Sequence, residues 1–355
     1  MLRALLAPLL VLGLAPALAA DLQQRAPMDD AIDRALDFLQ RNQDPEGAWR
    51  LHNVQNPAVT SLSVMAFLSA GHVPGEGRYG QTVEKGVRWV LKKQYPNGLI
   101  ATEGNHEMYH HGISTLMLAE VAGMISGPLG DEVRAKLEKA VDIILRAQRL
   151  TAGAHQGGWR YRVDERYERP PPADISVTGW QIMALRAAKN LGCDVPPERI
   201  DLAIRYIKRC QDPVGGGFRY HPLGPVTTPC TGTSILALEI CGKDQHRSAE
   251  VLRAGAFLLQ HPPRYRDDHF FYGVYYCSQA AFQLGGNYWE VFRPTMHEQL
   301  LNNQDASSGC WVGGDGKSRV CGPSYCTAMG VLALTVEYRF LPIYQRSEEP
   351  PAVGR

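Results

Sequence analysis

A pair of helices that recurs along the chain constrains its fold more than any other feature of the sequence. The clearest copy begins at Ile200, after which apolar residues recur at the i, i+3, i+4 and i+7 spacing of one helix face. This helix ends at Gln211, because the Asp-Pro pair and the three glycines that follow force a turn. The next segment, residues 230–240, carries one charged side chain, that of Glu239, and is therefore predicted to be a buried helix. Each unit is thus an outer, half-exposed helix, a glycine turn and an inner, buried helix.

The same unit recurs over almost the whole chain. The glutamine before the turn returns at intervals of 44 to 63 residues, at Gln43, Gln94, Gln148, Gln211, Gln260 and Gln304. A Gly-x-aromatic turn follows four of these glutamines, whereas the second keeps only Pro96-Asn97-Gly98 and the fifth has lost both glycine and aromatic residue. The predicted inner helices are residues 59–70, 112–122, 176–185, 231–240, 274–284 and 326–334.

Six half-exposed helices that alternate with six buried ones cannot stack in an open row, because a buried helix must be covered on every side. They are predicted to close on themselves. The sequence therefore predicts an all-α protein, an (α/α)6 toroid of six outer and six inner helices over residues 30–340.

The motifs Gln43-x3-Gly47-x-Trp49 and Gln304-x4-Gly309-x-Trp311, with their preceding helices, resemble a known repeat. It is the repeat shared by squalene and terpene cyclases and by the β subunits of protein prenyltransferases, and the resemblance covers residues 30–335. In that superfamily the glutamine and the tryptophan tie the outer ring together and touch no substrate. The resemblance implies an apolar, isoprenoid-like ligand in the central cavity.

The N-terminal residues predict export. Residues 1–19 carry one positive charge at Arg3, an apolar run and small residues at Ala17 and Ala19, which is the pattern of a cleaved secretory signal peptide. A short segment, 20–29, precedes the toroid, and residues 341–355 are predicted to form a disordered tail. We therefore expect a periplasmic or extracellular protein with no integral membrane segment in the mature chain.

The net charge bears on the possible partners of the chain, and the cysteine content bears on its possible disulfides. The net charge of +1 removes the electrostatic reason to expect nucleic acid. Eight cysteines in an exported chain permit disulfides, and Cys310 with Cys321, on either side of a glycine-rich loop, is the predicted short-range pair.

The functional residues are expected where the inner helices begin, because their N-termini gather at one end of the toroid. Aligning the inner helices places His111, Cys230 and Cys326 in one layer, with His110, Tyr272 and Tyr325 one residue earlier. Asp174 lies three residues before that layer in the third repeat. The predicted site is Asp174 and His111 as catalytic residues, with Tyr109, His110, Trp180, Cys230, Tyr272 and Tyr325 binding the ligand.

These residues allow two catalytic interpretations. A terpene cyclase needs an acidic cluster to protonate an alkene and aromatic side chains to stabilise carbocations, but Asp174 stands alone here. A zinc prenyltransferase needs an Asp-x-Cys pair, which the chain lacks, and a histidine where Gly273 stands. A different zinc set of Cys230, Cys326 and His111 has suitable ligand types, so zinc is the one cofactor to consider.

The third interpretation, which the sequence favours, is a binding protein whose catalytic motifs are reduced. Its ligand would be an apolar, isoprenoid-like molecule in the central cavity, or else a glycan or a peptide at the rim, with Trp159 and Tyr161 as stacking surfaces. A polysaccharide-acting enzyme is the remaining alternative, and it would need two facing carboxylates, for which Glu103 and Asp174 are the candidates.

Overall fold

A computed structural model describes residues 15–102, 104, 106–163, 172–241 and 245–345, with side chains from residue 27 onward. Within these residues the regular structure is almost entirely α-helical. The outer helices are α1 (Ala15–Arg41), α3 (Gly80–Lys92), α5 (Gly127–Ala147), α7 (Pro197–Arg209), α9 (Ala249–Gln260) and α11 (Asn287–Leu301). The inner helices are α2 (Pro57–Ser69), α4 (Glu107–Met124), α6 (Ile175–Asn190), α8 (Thr228–Cys241), α10 (Phe270–Leu284) and α12 (Gly316–Leu334). A small antiparallel hairpin, β1 (Arg50–Leu51) and β2 (Val54–Gln55), precedes α2.

The inner helices form a closed ring. Each packs on the next along the chain, and α12 packs on α2, so that no inner helix lies at an open edge. All of α2 is buried, whereas α7 buries only the face that carries Ile200, Ala203 and Ile204 and its neighbours. The predicted (α/α)6 toroid is therefore confirmed.

The repeated glutamines join neighbouring repeats. Five of them donate both amide hydrogens, one to the carbonyl of the turn glycine and one to a carbonyl of the following outer helix. These acceptor pairs are Gly47 and Thr82 for Gln43, Gly98 and Lys136 for Gln94, Gly157 and Arg199 for Gln148, Gly216 and Glu250 for Gln211, and Gly309 and Ala31 for Gln304. Because Ala31 belongs to α1, the last pair ties the sixth repeat to the first. Gln260, in the degenerate fifth repeat, is exposed.

The turn glycines lie against the backbone of the next outer helix. Gly157 has φ +94°, and a Cβ there would stand 2.1 Å from the carbonyl oxygen of Leu202 on α7. Gly47 and Gly309 make equivalent approaches to Lys85 and Arg34, each at 2.4 Å. Both the positive φ and the close approach require glycine.

We expect Gly157→Ala to lower the free energy of unfolding by about 3 kcal/mol or more, because it combines backbone strain with a backbone clash. Gly192→Ala is the matched control, since Gly192 has φ +88° and nothing within 4 Å of the added Cβ. The free energy of unfolding of Gly192→Ala should fall only by the cost of the backbone strain, about 1–2 kcal/mol. Urea denaturation of both variants measures the difference, and equal losses would contradict the role of the close approach.

The C-terminal segment closes the end of the toroid where the inner helices finish. Residues Pro342–Tyr344 form a 3₁₀ turn that packs on α4 and α6, and Leu341, Ile343 and Tyr344 are buried. The predicted boundary at residue 340 is therefore too early, because these apolar side chains fill the ring. Residues 346–355 of the predicted tail, and residues 1–14 of the predicted signal peptide, lie outside the described residues, while α1 begins at Ala15.

Three hydrogen bonds hold this segment in place. The backbone N–H of Ile343 donates to the carboxyl group of Glu120 at 3.3 Å, and the side-chain amide of Gln283 donates to the Tyr344 carbonyl at 3.4 Å. The hydroxyls of Tyr275 and Tyr344 lie 2.5 Å apart. Burial raises the pKa of Glu120 from 4.5 to about 8, so the side chain is a neutral acid at pH 7.

We expect the protein to lose stability between pH 5 and pH 8 through Glu120. Over this range the folded state keeps a proton that the unfolded state has released, which costs about 1.4 kcal/mol for each pH unit. Glu120→Gln keeps the shape of the side chain and its hydrogen-bond acceptor but cannot ionise. The free energy of unfolding of this variant, relative to that of the wild type, should therefore be a few kcal/mol higher at pH 8 than at pH 5. Urea denaturation at both pH values tests this, with Glu132→Gln, at an exposed position of α5, as control. A pH-independent difference would show that Glu120 does not titrate in this way.

Candidate functional site

Tyrosines from three inner helices lie near one another, Tyr109 and Tyr272 in the first turns of α4 and α10 and Tyr325 just after a kink of α12 at Gly322. Tyr109 of α4, Tyr272 of α10 and Tyr325 of α12 are each half-buried. Burial and then the charge of Asp174 raise the pKa of Tyr109 well above its ordinary value, and Tyr272 adds to the effect. The pKa of Tyr272 is raised in turn by burial, by Cys230 and by Asp174 and Tyr325. We call this group, Tyr109, Asp174, Tyr272 and Tyr325, the mouth.

Asp174 organises one side of the mouth. It is the N-cap of α6, and its Oδ1 accepts hydrogen bonds from the Val177 backbone at 2.9 Å and the Ser176 hydroxyl at 2.5 Å. Its Oδ2 accepts a hydrogen bond from the Arg160 guanidinium at 2.6 Å. The hydroxyls of Ser176 and Tyr109 lie 2.5 Å apart, which links α6 to α4. Asp174 therefore acts here as a helix cap and an ion-pair partner.

Arg160 extends this network to two more tyrosines. Its guanidinium lies 3.8 Å from the ring centre of Tyr161 and donates to the Tyr220 hydroxyl at 2.9 Å. The hydroxyls of Tyr161 and Tyr220 are 2.6 Å apart. The guanidinium thus combines an ion pair, a hydrogen bond and a cation–π contact. Tyr161 is close to the mouth, whereas Trp159, the other predicted stacking surface, is fully buried within its repeat.

The centre of the ring below the mouth is filled with aromatic side chains. Trp180 stacks on Tyr275 with ring centres 5.7 Å apart, and Tyr276 contacts Trp180 edge-on at 5.1 Å. All three are at most 2% exposed. Trp180, which was predicted to bind the ligand, therefore belongs to a packed aromatic floor beneath the mouth.

His111 does not lie in the mouth, contrary to its predicted catalytic role. Its Nδ1 accepts a hydrogen bond from the Ile100 backbone at 3.1 Å, and its Nε2 donates to the Ala140 carbonyl of α5 at 2.9 Å. It is buried between the two rings, and burial lowers its pKa to about 4. In four other repeats a threonine hydroxyl accepts the equivalent bond, from Trp49 to Thr60, Trp159 to Thr178, Phe218 to Thr231 and Trp311 to Thr327.

His111 therefore corresponds to these threonines, and the predicted alignment of the second repeat was wrong by one residue. With that correction, Tyr109 is the residue two positions before the threonine equivalent in the second repeat. It therefore aligns with Ser176 in the third repeat and Tyr325 in the sixth. His110 no longer aligns with Tyr325. It bridges α2 and α4 instead, through Asn56 at 3.2 Å and the Thr102 hydroxyl at 3.3 Å. Burial lowers the pKa of His110 to about 4.

The predicted zinc set of Cys230, Cys326 and His111 is not brought together. Both nitrogens of His111 are bonded to backbone groups, and the Cys326 thiol donates to the Ser318 carbonyl at 3.4 Å. Cys230 is buried beside Tyr272, and burial raises the pKa of its thiol to about 12. Among the described residues no group of three or more His, Cys, Asp or Glu side chains is arranged to hold a metal ion.

Two further predicted pairs were a disulfide between Cys310 and Cys321 and a carboxylate pair of Glu103 and Asp174. Cys310 and Cys321 are free thiols, as are the other six cysteines, so the predicted disulfide is not formed. Instead, the Cys310 sulfur accepts a hydrogen bond from the Ser308 hydroxyl at 3.1 Å, while Cys321 lies on α12 just before its kink at Gly322. Glu103, the predicted carboxylate partner of Asp174, lies outside the described residues.

Comparison with known proteins identifies the fold and no closer relationship. No protein-family model and no curated protein matches the chain. The type II terpene cyclase MstE from Scytonema, in complex with its product merosterolic acid A, matches with a TM-score of 0.56 and 16% identity, over 89% of this chain and 98% of that one. The family 76 glycoside hydrolase Bt3792, a mannosidase from Bacteroides thetaiotaomicron, matches with a TM-score of 0.60 and 12% identity, over 88% and 99%. Candida albicans protein geranylgeranyltransferase-I, in complex with GGPP, matches with a TM-score of 0.53 and 11% identity, over 85% and 90%.

The chain has the α/α toroid fold of terpene cyclases and prenyltransferases. The predicted resemblance is confirmed at this level, and the same fold is shared with the glycoside hydrolase. Sequence identities this low establish the fold alone. Over the described residues, none of the toroid helices combines the length and apolar character that a membrane span requires.

We expect Asp174→Ala to lower the free energy of unfolding by about 3 kcal/mol or more, because it removes the cap of α6 and leaves Arg160 without its carboxylate. The control is Glu84→Ala, which breaks an exposed ion pair with Arg88 and should cost about 0.5 kcal/mol. Urea denaturation provides both values. If Asp174→Ala lost no more free energy of unfolding than Glu84→Ala, the organising role of Asp174 would be contradicted.

Proposed function

We propose that this protein binds an uncharged isoprenoid molecule at the mouth of its inner ring. The observation that supports this most is that three half-buried tyrosines, Tyr109, Tyr272 and Tyr325, come from three different inner helices and lie close enough to influence the pKa of their neighbours. Half-buried aromatic side chains are typical of the lining of sites for apolar ligands.

The hydrogen bonds of the mouth favour an apolar ligand over a glycan. The hydroxyl of Tyr109 is paired with Ser176, that of Tyr272 is paired with Thr233 at 2.7 Å, and Arg160 is paired with Asp174. A sugar that takes a hydrogen bond from one of these paired hydroxyls replaces an existing bond, which costs about 1 kcal/mol. An isoprenoid needs only apolar contact with the half-buried rings, so these hydrogen bonds stay intact.

The aromatic floor limits how far a ligand can enter. Trp180, Tyr275 and Tyr276 occupy the centre of the ring, and the segment around Tyr344 closes its other end. We therefore propose that the mouth accepts one end of an isoprenoid, or a short one, and not a long chain lying along the ring axis.

Binding without turnover is the proposed activity. The chain has one aspartate where cyclases carry an acidic cluster, and Gly273 where prenyltransferases carry a histidine, so both catalytic motifs are reduced. Asp174 is occupied by its cap and ion-pair bonds. Export through the predicted signal peptide remains part of this proposal, and it would place the ligand outside the cytoplasm.

We expect Tyr272→Ala to weaken binding of a short isoprenoid at least tenfold, because a buried aromatic contact contributes about 1.5 kcal/mol or more. Binding of farnesol by the purified protein can be measured by equilibrium dialysis. Tyr95→Ala is the control, since Tyr95 is an exposed tyrosine in the second repeat turn. The proposal would fail if the wild type did not bind farnesol, or if both variants bound it as well as the wild type.

A further inference from the structure

One buried hydroxyl directly below the mouth, that of Tyr276, has no hydrogen-bond partner among the described residues. Tyr276 is 1% exposed, and its hydroxyl is unpaired within the part of the chain that the structure describes. An unpaired buried hydroxyl costs folding free energy, so its retention requires an explanation.

Three neighbouring tyrosine hydroxyls already have partners of their own. Tyr272 pairs with Thr233, Tyr275 pairs with Tyr344, and Tyr109 pairs with Ser176. The Tyr276 hydroxyl lies near α6, 3.7 Å from the position that a Cβ on Gly179 would take. Burial, and then Tyr272 and Tyr275, raise the pKa of Tyr276 well above its ordinary value, so the group is a neutral phenol able to donate a hydrogen bond.

The position of Tyr276 relates it directly to the mouth. It follows Tyr272 by four residues on α10, so the two side chains share a helix face and Tyr272 is one turn nearer the mouth. Their ring centres are 4.8 Å apart. The Tyr276 ring therefore lies one helical turn below the half-buried Tyr272 ring, against which the proposed ligand packs.

We infer that the ligand carries a terminal oxygen, as a hydroxyl or carbonyl group, which accepts a hydrogen bond from Tyr276 beneath the aromatic mouth. This inference rests on the proposed function and specifies its ligand class: an oxygenated isoprenoid is preferred over a hydrocarbon of the same length. The ring faces of Tyr109, Tyr272 and Tyr325 hold the apolar part, and Tyr276 selects the polar end.

The test compares two ligands, farnesol and the hydrocarbon farnesene, on three forms of the protein: wild type, Tyr276→Phe and Tyr275→Phe. The ratio of the two dissociation constants is measured for each form, so that differences in ligand solubility cancel between forms. We expect Tyr276→Phe to reduce the preference for farnesol about tenfold while leaving farnesene binding unchanged. Tyr275→Phe removes an adjacent, equally buried hydroxyl that is paired with Tyr344, so it should leave the preference as in the wild type.

Thermal unfolding without ligand gives an independent measurement. Tyr276→Phe removes an unpaired hydroxyl and should keep or raise the melting temperature, whereas Tyr275→Phe leaves Tyr344 unpaired and should lower it by a few degrees. A lower melting temperature for Tyr276→Phe would mean that its hydroxyl already has a partner, such as a bound water, and would overturn the inference.

The binding results separate this inference from the proposed function. If the wild type binds farnesol and farnesene, and Tyr276→Phe leaves their ratio unchanged, the oxygen-selecting role fails and isoprenoid binding stands. If the wild type binds neither ligand, both proposals fail together.

Discussion

The paired hydrogen bonds of the repeated glutamines hold the toroid together. Each of five side-chain amides joins its own glycine turn to the next outer helix, and the last of them returns from Gln304 to Ala31 and closes the ring. An amide group suits this role because its two hydrogens can reach two carbonyls at once. The glycine turn must lie against the neighbouring backbone for both bonds to form, which explains why a Cβ at Gly157 would clash with Leu202. Where the turn is lost, at Gln260, the glutamine is exposed.

This arrangement gives the two ends of the inner ring different properties. At the end where the inner helices finish, the segment around Ile343 and Tyr344 fills the ring and bonds to Glu120. At the other end, tyrosines surround a buried ion pair between Asp174 and Arg160. Trp180 and Tyr275 separate the two ends by stacking across the centre. A ligand is therefore expected at the end where the inner helices begin, and its depth is limited by packed aromatic rings.

The position of His111 in the repeat has a structural role, although its residue type suggested a catalytic one. A threonine accepts the backbone hydrogen bond of the turn in four repeats, and His111 accepts it in the second. A neutral imidazole nitrogen replaces a hydroxyl oxygen there, and the other ring nitrogen reaches Ala140 on the outer ring. The alignment of the inner helices predicted a catalytic role for His111 and ligand binding for His110, yet both histidines bond to groups that fix helices α2, α4 and α5.

The sequence alone determined the architecture, because helical periodicity, turn glycines and the absence of charge on alternate helices are local properties that repeat in every unit. It also placed Tyr109, Asp174, Tyr272 and Tyr325 near one end of the toroid. The tertiary structure decided which side chains face that end, since a one-residue error in aligning the second repeat rotates a helix position by about 100°. It also revealed Arg160 as the partner of Asp174, the aromatic floor beneath the mouth and the burial of Tyr344. These depend on contacts between different elements of the fold, and no local sequence pattern encodes them.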